Sequence, residues 1–282
     1  MAEAAGMRFA AAMSLSKATR TVSISRHEGA AAEVRDDAIA AEEPLEIRVG
    51  GHSVAVVMRT PGHDRELAAG FLVTEGIVRR REEVYDLKYC RDDGGQPEEN
   101  ILDVVLAPGA KVDLARLTRH VFTSSSCGVC SKATIAAVQA QFPPITQPVH
   151  PRREVLAALP DRLRAAQAAF AMTGGLHASA LFGPTGELQV VREDVGRHNA
   201  LDKVVGHAFF AERLPLTDTL LLVSGRVSFE IMQKALAAGI PAVVAISAPT
   251  SAAVEFARAS GQLLVGFLRG ERMNVYAGTL AG

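Results

Sequence analysis

The sequence predicts an α/β protein with a smaller N-terminal α+β domain. Three observations carry that expectation. The first third reads as strands interrupted by one helix. The last half alternates strands and helices in regular order. Its strands, such as Leu220-Leu-Leu-Val223, are almost continuously apolar, as in a sheet covered on both faces.

The elements follow in order. Residues 1–20 are Ala-rich, but Glu3 and Arg8 interrupt them, so they hold no signal-peptide core and are expected to form a frayed extension. Thr21–Ser25 alternates like a strand. Leu45–Val49 and Ser53–Met58 flank Gly50-Gly51-His52 and predict a hairpin around a Gly-Gly turn. Asp64–Gly76 is a helix with acids in its first turn. Gly70 inside it costs about 1 kcal/mol against alanine, which predicts close packing against a neighbouring element. Asp92–Asn100 is expected to be a polar turn and Ile101–Leu106 a strand. Residues 21–122 form the small α+β domain on this reading, and residues 123–153 a cysteine loop, a helix-like run and a linker rich in proline from Phe142 to Arg153.

Residues 154–282 form the larger domain. A helix over Glu154–Met172, ended by Gly174, leads to the strand His177–Phe182. A turn, Gly183–Gly186, precedes the strand Glu187–Arg192. Helices are expected over Ala200–Glu212, Phe229–Ala238 and Ser251–Ser260. Strands are expected over Thr219–Val223, Ala242–Ile246, Leu263–Leu268 and Met273–Tyr276.

Composition narrows the function. The chain has 282 residues, 48% hydrophobic, with net charge −1, ample for one or two globular domains. That charge gives no bulk pull toward nucleic acid or an anionic membrane. The lack of Trp argues against base-stacking platforms. No segment approaches the ~20 apolar residues of a membrane span. Three cysteines do not make a secreted disulfide framework, so a reducing cytoplasm is expected.

The densest chemistry lies in Thr123-Ser-Ser-Ser-Cys127-Gly-Val-Cys130. A polar run leads into two thiols, and a helix-like run, Lys132–Gln141, leads out. A helix N-terminus favours an anion, and the thiolate is the reactive form of cysteine. Half a zinc site, a dithiol redox motif and inert packing are the other readings. Zinc lacks further ligands, since Cys90 stands alone and no His-x₃₋₅-His follows. A redox dithiol lacks a thioredoxin-like context. A nucleophile carrying a transferable group, such as a persulfide, is favoured.

Three strand-to-helix junctions collect polar and small residues, where α/β folds bind ligands. They are Arg192–Asn199, Ser224–Ser228 and Ser247–Ser251. Asp194, His198, Asn199 and Lys203 form either a helix cap or part of a site. Ser224, Gly225, Arg226, Ser247 and Thr250 extend the polar edge. His177 is either a half-buried strand residue or a site residue. Arg269 and Arg272 sit in the last turn, either solvated or aimed at phosphate, which guanidinium forks suit.

The segments SSSCGVC, LAAGFLVTEGI, TGGLHASALF, REDVGRHNALDK, SGRVSFEIMQK and SAPTSAAVE, in that family's pattern, resemble the FdhD-type accessory sulfurtransferases of formate dehydrogenase. The resemblance runs from about residue 20 onward. It implies a sulfur carrier that takes a persulfide from a cysteine desulfurase and passes it to the molybdenum bis-guanine-dinucleotide cofactor. GDP would mimic that cargo, and the formate dehydrogenase catalytic subunit would receive it. The carrier maps to Cys127, with Cys130 as second cysteine, and the cofactor stretch maps to Phe267, Leu268, Arg269, Gly270, Glu271 and Arg272. The same resemblance implies a cytidine-deaminase-like three-layer αβα domain and a homodimer.

A zinc deaminase needs His-x-Glu and Pro-Cys-x-x-Cys at two helix starts. The matching positions read Arg197-His198-Asn199 and Ser224-Gly-Arg-Val-Ser228, so no zinc is expected. Two other functional classes stay open, a cofactor chaperone that transfers no sulfur and a dithiol oxidoreductase.

Overall fold

A computed structural model describes residues 15–110 and 141–282. A helical turn at residues 15–18 leads into an antiparallel hairpin arm, β1 (Thr19–Glu28) and β2 (Ala31–Ala40). A four-stranded sheet follows, built from β3 (Glu43–Val49), β4 (His52–Arg59), β5 (Val84–Arg91) and β6 (Pro97–Leu106) in the order β4-β3-β6-β5. The Gly-Gly hairpin holds. Gly50 and Gly51 both have positive φ (56° and 82°), the turn whose twist suits a two-residue loop. The polar turn after β5 is shorter than expected, because pairing with β5 already begins at Pro97.

Between β4 and β5 lies helix α1 (Asp64–Thr74). Then come α2 (Arg153–Ala166), α3 (Ala168–Thr173), β7 (His177–Phe182), β8 (Leu188–Asp194) and α4 (Arg197–Phe210). Strand β9 (Leu220–Val223), helix α5 (Phe229–Ala237), strand β10 (Ala242–Ala245) and helix α6 (Ser251–Ser260) follow, and the chain ends in β11 (Leu263–Arg269) and β12 (Arg272–Ala277). The second sheet runs β12-β11-β10-β9-β7-β8, with β9, β10 and β11 mutually parallel.

Alternation places the side chains of each buried strand on two faces. Leu220, Leu222, Val244 and Val265 pack with Leu156, Leu159 and Leu163 of α2. Leu221, Val223, Val243 and Leu264 pack with α4, α5 and α6. That second core continues through Leu67, Ala68 and Leu72 of α1 into Leu45, Ile47, Leu102 and Val104 of the four-stranded sheet. Helix α1 therefore lies between the small sheet and α4. Gly70 explains how it fits. A Cβ there would stand 1.8 Å from the Asp202 carbonyl oxygen, and one on Gly206 would stand 1.8 Å from that of Glu66. The two helices cross with backbone against backbone, as the buried glycine led us to expect.

Two helix boundaries differ from expectation. The helix predicted over Glu154–Met172 is broken at Gln167 (φ −86°, ψ 78°). The Glu193 carboxylate, arriving from β8, accepts the N–H groups of Ala169 and Phe170 at 3.0 and 2.7 Å. A distant strand thus supplies the cap that restarts the helix. Helix α4 starts at Arg197 rather than Ala200, with Gly196 as its N-cap residue. The Pro-rich linker is anchored where it is described, since Phe142 is buried in the core and Ile145 N–H bonds the Ser260 carbonyl.

Candidate functional site

The topology brings the expected junctions to one edge of the six-stranded sheet. The C-terminal ends of β8, β9, β10 and β11 lie there, together with the N-terminal ends of β7 and β12. Helices α4, α5 and α6 begin at the same edge, so their positive ends converge on it. The loops are zipped together. Val227 N–H bonds the Ala248 carbonyl, Thr250 N–H bonds that of Val227, and Phe267 N–H bonds that of Ser247.

Each expected residue has a definite place. His177 is half-buried at the start of β7, and its ring packs on Gly225, where a Cβ would stand 3.2 Å from Nδ1. Burial, then the charge of Arg197, push its pKa down. Ser224 accepts the Ala178 N–H at 2.9 Å. Arg226 is exposed. Ser247 is half-buried, and Thr250 caps α6 by accepting the Ala253 N–H at 3.3 Å. Phe267, Arg269, Arg272 and Asn274 line a cleft of about 330 Å³. Phe267 reaches it through a left-handed backbone (φ 53°) within a β-bulge, a strained setting for a bulky residue. Gly270 and Glu271 form the exposed turn beside it, and Leu268 points the other way, fully buried in the core under α2. Asn274 was not singled out from the sequence, because only the register of β12 on β11 brings it beside the arginines.

Asp194, Asn199 and Lys203 lie beneath this edge rather than on it, and their polar atoms are engaged inside the chain. Asp194, 0% exposed, pairs with the Lys203 ammonium at 2.6 Å and accepts N–H groups from Thr60 and Gly196. Lys203, 1% exposed, also donates to the carbonyls of Thr60 and Glu193. Asn199 donates to the Met58 carbonyl at 2.7 Å and to Asp194. These three strap the end of β4 to α4. A second strap joins Glu66 of α1 to Arg192 and His207. Burial pushes the Glu66 carboxyl up, and those two partners outweigh it, bringing it down to about 2.

His198 is the titratable group of α4 that reaches the edge. Its Nε2 lies 3.4 Å from Ser228 Oγ and 3.4 Å from Glu230 Oε2. Burial, then Arg197 and Lys234, drive its pKa down to about 3. A histidine that stays neutral when folded but ionises when unfolded stabilises above its unfolded pKa. That stability is lost as pH falls from about 6.5 toward about 3. His198→Asn is therefore expected to flatten the acid side of the stability profile by about 1.4 kcal/mol per pH unit between about pH 6 and pH 4. Urea unfolding of both proteins at several pH values measures this, and parallel profiles refute it.

Cys127 and Cys130 lie outside the described residues. Cys90 is a half-buried free thiol on β5. Among the described residues no cluster of His, Cys, Asp and Glu suits a metal ion, and no helix is long and apolar enough to cross a membrane.

A profile of the FdhD/NarQ family matches residues 40–280, which takes in both sheets and the whole polar edge. The chain belongs to the FdhD/NarQ family. It is 55% identical over 249 residues to the "Sulfur carrier protein FdhD" of Mycobacterium bovis, covering 86% of this chain and 90% of that one. It is 51% identical over 269 residues to the protein of the same name from Streptomyces avermitilis, covering 94% and 95%. Its fold is similar to the crystal structure of a protein from Desulfotalea psychrophila described as a formate dehydrogenase accessory protein. The TM-score is 0.71 at 22% identity, over 92% of this chain and 97% of that one.

Proposed function

We propose that the protein is a cytoplasmic sulfur carrier for formate dehydrogenase maturation. Cys127 takes sulfur from a cysteine desulfurase, and the cargo that receives it is the molybdenum bis-guanine-dinucleotide cofactor. The names of the FdhD relatives support the carrier role. One structural observation carries the nucleotide part of the reading. Arg269 and Arg272 face a common cleft at the sheet edge where three helices begin. Guanidinium forks and helix N-termini both recognise phosphate, and the cofactor carries a pyrophosphate in each half. Leu268, buried in the core, fixes the turn while its neighbours reach the cleft.

The sulfur chemistry balances without an outside oxidant. The Cys127 thiolate attacks the outer sulfur of the desulfurase persulfide, forming Cys127–S–SH and releasing the desulfurase thiolate. Attack of the Cys130 thiolate on Cys127 Sγ then forms a Cys127–Cys130 disulfide and expels hydrosulfide. A thiol reductant resets the pair. The carrier would work as a homodimer.

Intact-mass measurement tests this directly. After incubation with a cysteine desulfurase and cysteine, the protein is expected to gain one sulfur atom, removable by thiol reductant. Cys127→Ala is expected to gain none and Cys130→Ala to keep its sulfur. A wild-type chain of unchanged mass refutes sulfur carriage and leaves the cofactor-chaperone reading. Equal loss from both variants, with turnover of a thiol reductant, favours the dithiol oxidoreductase.

A further inference from the structure

The hairpin arm of β1 and β2 takes no part in the polar edge. Its strands pair from Thr19 opposite Ala40 to Glu28 opposite Ala31, so the arm extends roughly 33 Å at the usual rise of a strand. Its base is fixed to the body. Ala18 and Ala40 pack with Ala169, Phe170 and Leu176, and Arg20 pairs with Glu43. Further out the arm stands clear. Every residue from Ser25 to Asp36 is exposed, and among the described residues no third strand joins either edge. A two-stranded hairpin is marginal in water until a third strand or a packed face completes it. Val34 of β2, 79% exposed, is the most exposed large apolar side chain among the described residues.

The sequence of β2 says which partner fits its edge. An unpaired strand edge is a template for another chain, and charges on it ordinarily discourage pairing. Strand β2 carries Glu33, Arg35, Asp36 and Asp37, but their order matters more than their presence. When two copies of one strand pair antiparallel about a two-fold axis, residues opposite each other lie equally far from that axis, on the same face of the sheet. With Val34 on the axis, Glu33 of each copy stands opposite Arg35 of the other. Ala32 then faces Asp36, Ala31 faces Asp37, and the two Val34 side chains cover each other. Opposite charges meet twice and like charges never do. An axis at Glu33, Arg35, Asp36 or Asp37 instead sets that charge against its own copy. The charges therefore select one register rather than block them all.

We infer that β2 is a docking edge for a second copy of this chain, paired antiparallel with Val34 on the two-fold axis, so that two arms join into one four-stranded sheet. The inference rests on the reading that the carrier works as a homodimer, and it names the surface that holds the copies together. Joining the arms supplies each hairpin with its third strand and removes Val34 from water at the same time.

Sedimentation equilibrium of the full chain, with a thiol reductant present, tests it. The wild type is expected to be a dimer. Arg35→Glu and Glu33→Arg each turn both attractive pairs into repulsive ones, and each is expected to weaken association about tenfold or more. An equimolar mixture of the two variants again sets opposite charges across the axis. It is expected to associate about as tightly as the wild type, which misfolded variants could not do. A wild-type dimer that neither substitution weakens overturns the arm as its interface and leaves the homodimer reading standing. Weakening that the mixture fails to restore overturns it in the same way. A wild type that stays monomeric overturns both.

Discussion

Replacing Lys234 by methionine is expected to lower the unfolding free energy by about 3–5 kcal/mol. Lys234 is 2% exposed at the centre of the molecule. Its ammonium donates to Thr74 Oγ1 at 2.9 Å, to Glu75 Oε1 at 3.2 Å and to both oxygens of Asp202 at 3.1 and 3.0 Å. It also stands 5.5 Å from the centroid of the Phe71 ring. Burial works against its charge, and the carboxylates of Asp202, Glu75 and Glu230 outweigh that, holding its pKa above the usual lysine value. Methionine keeps the stem but strands Asp202, also buried, with only Thr74 to bond it. The expected loss comes from that stranded carboxylate more than from the missing attraction. Asp202→Leu combined with Lys234→Met removes both charges and is expected to recover most of the stability, a coupling that a double-mutant cycle reads directly. Urea unfolding provides the measurement. A single Lys234→Met loss below about 1 kcal/mol, the range of exposed pairs, refutes this account.

This network also explains why some features were legible in the sequence and others were not. Gly70 announced itself, because glycine in a helix is destabilising unless something needs the space. The Gly50-Gly51 turn and the Gly174 end of α3 were legible for the same reason, since each adopts a positive φ. The polar junctions were legible because ligand edges in α/β folds gather small and polar residues. What the chain could not announce was partnership across long separations. Asp194 and Lys203 were visible as chemistry, but their partner Thr60 lies more than a hundred residues away, and with it they act as a strap. Glu193 gave no local sign that it caps α3. Nor could strand patterning reveal that α1 lies within the core shared by both sheets.

That shared core makes the crossing of α1 and α4 the second point of large effect. Gly206→Ala is expected to cost a net 3 kcal/mol, roughly, although alanine is the better helix former by about 1 kcal/mol. A methyl group at position 206 would meet the Glu66 carbonyl oxygen at 1.8 Å, whereas a carbon–oxygen contact settles near 3.3 Å or beyond, at about the distance of a weak C–H···O contact. Backbone on both sides leaves no flexible side chain to yield, so the helices must part. Parting them stretches the Thr74–Asp202–Lys234 bonds and the Lys203–Thr60 strap at once. It also displaces the start of α4, where Arg197 and His198 meet the polar edge. The variant is therefore expected to unfold at lower urea. Gly70→Ala opposes the Asp202 carbonyl across the same crossing. Once one substitution has separated the helices, the second finds part of its room already made. The double variant is thus expected to lose less than the sum of the singles, by about 1 kcal/mol or more. Full additivity in unfolding free energy would mean that the two glycines do not share one contact, and would refute the crossing as described.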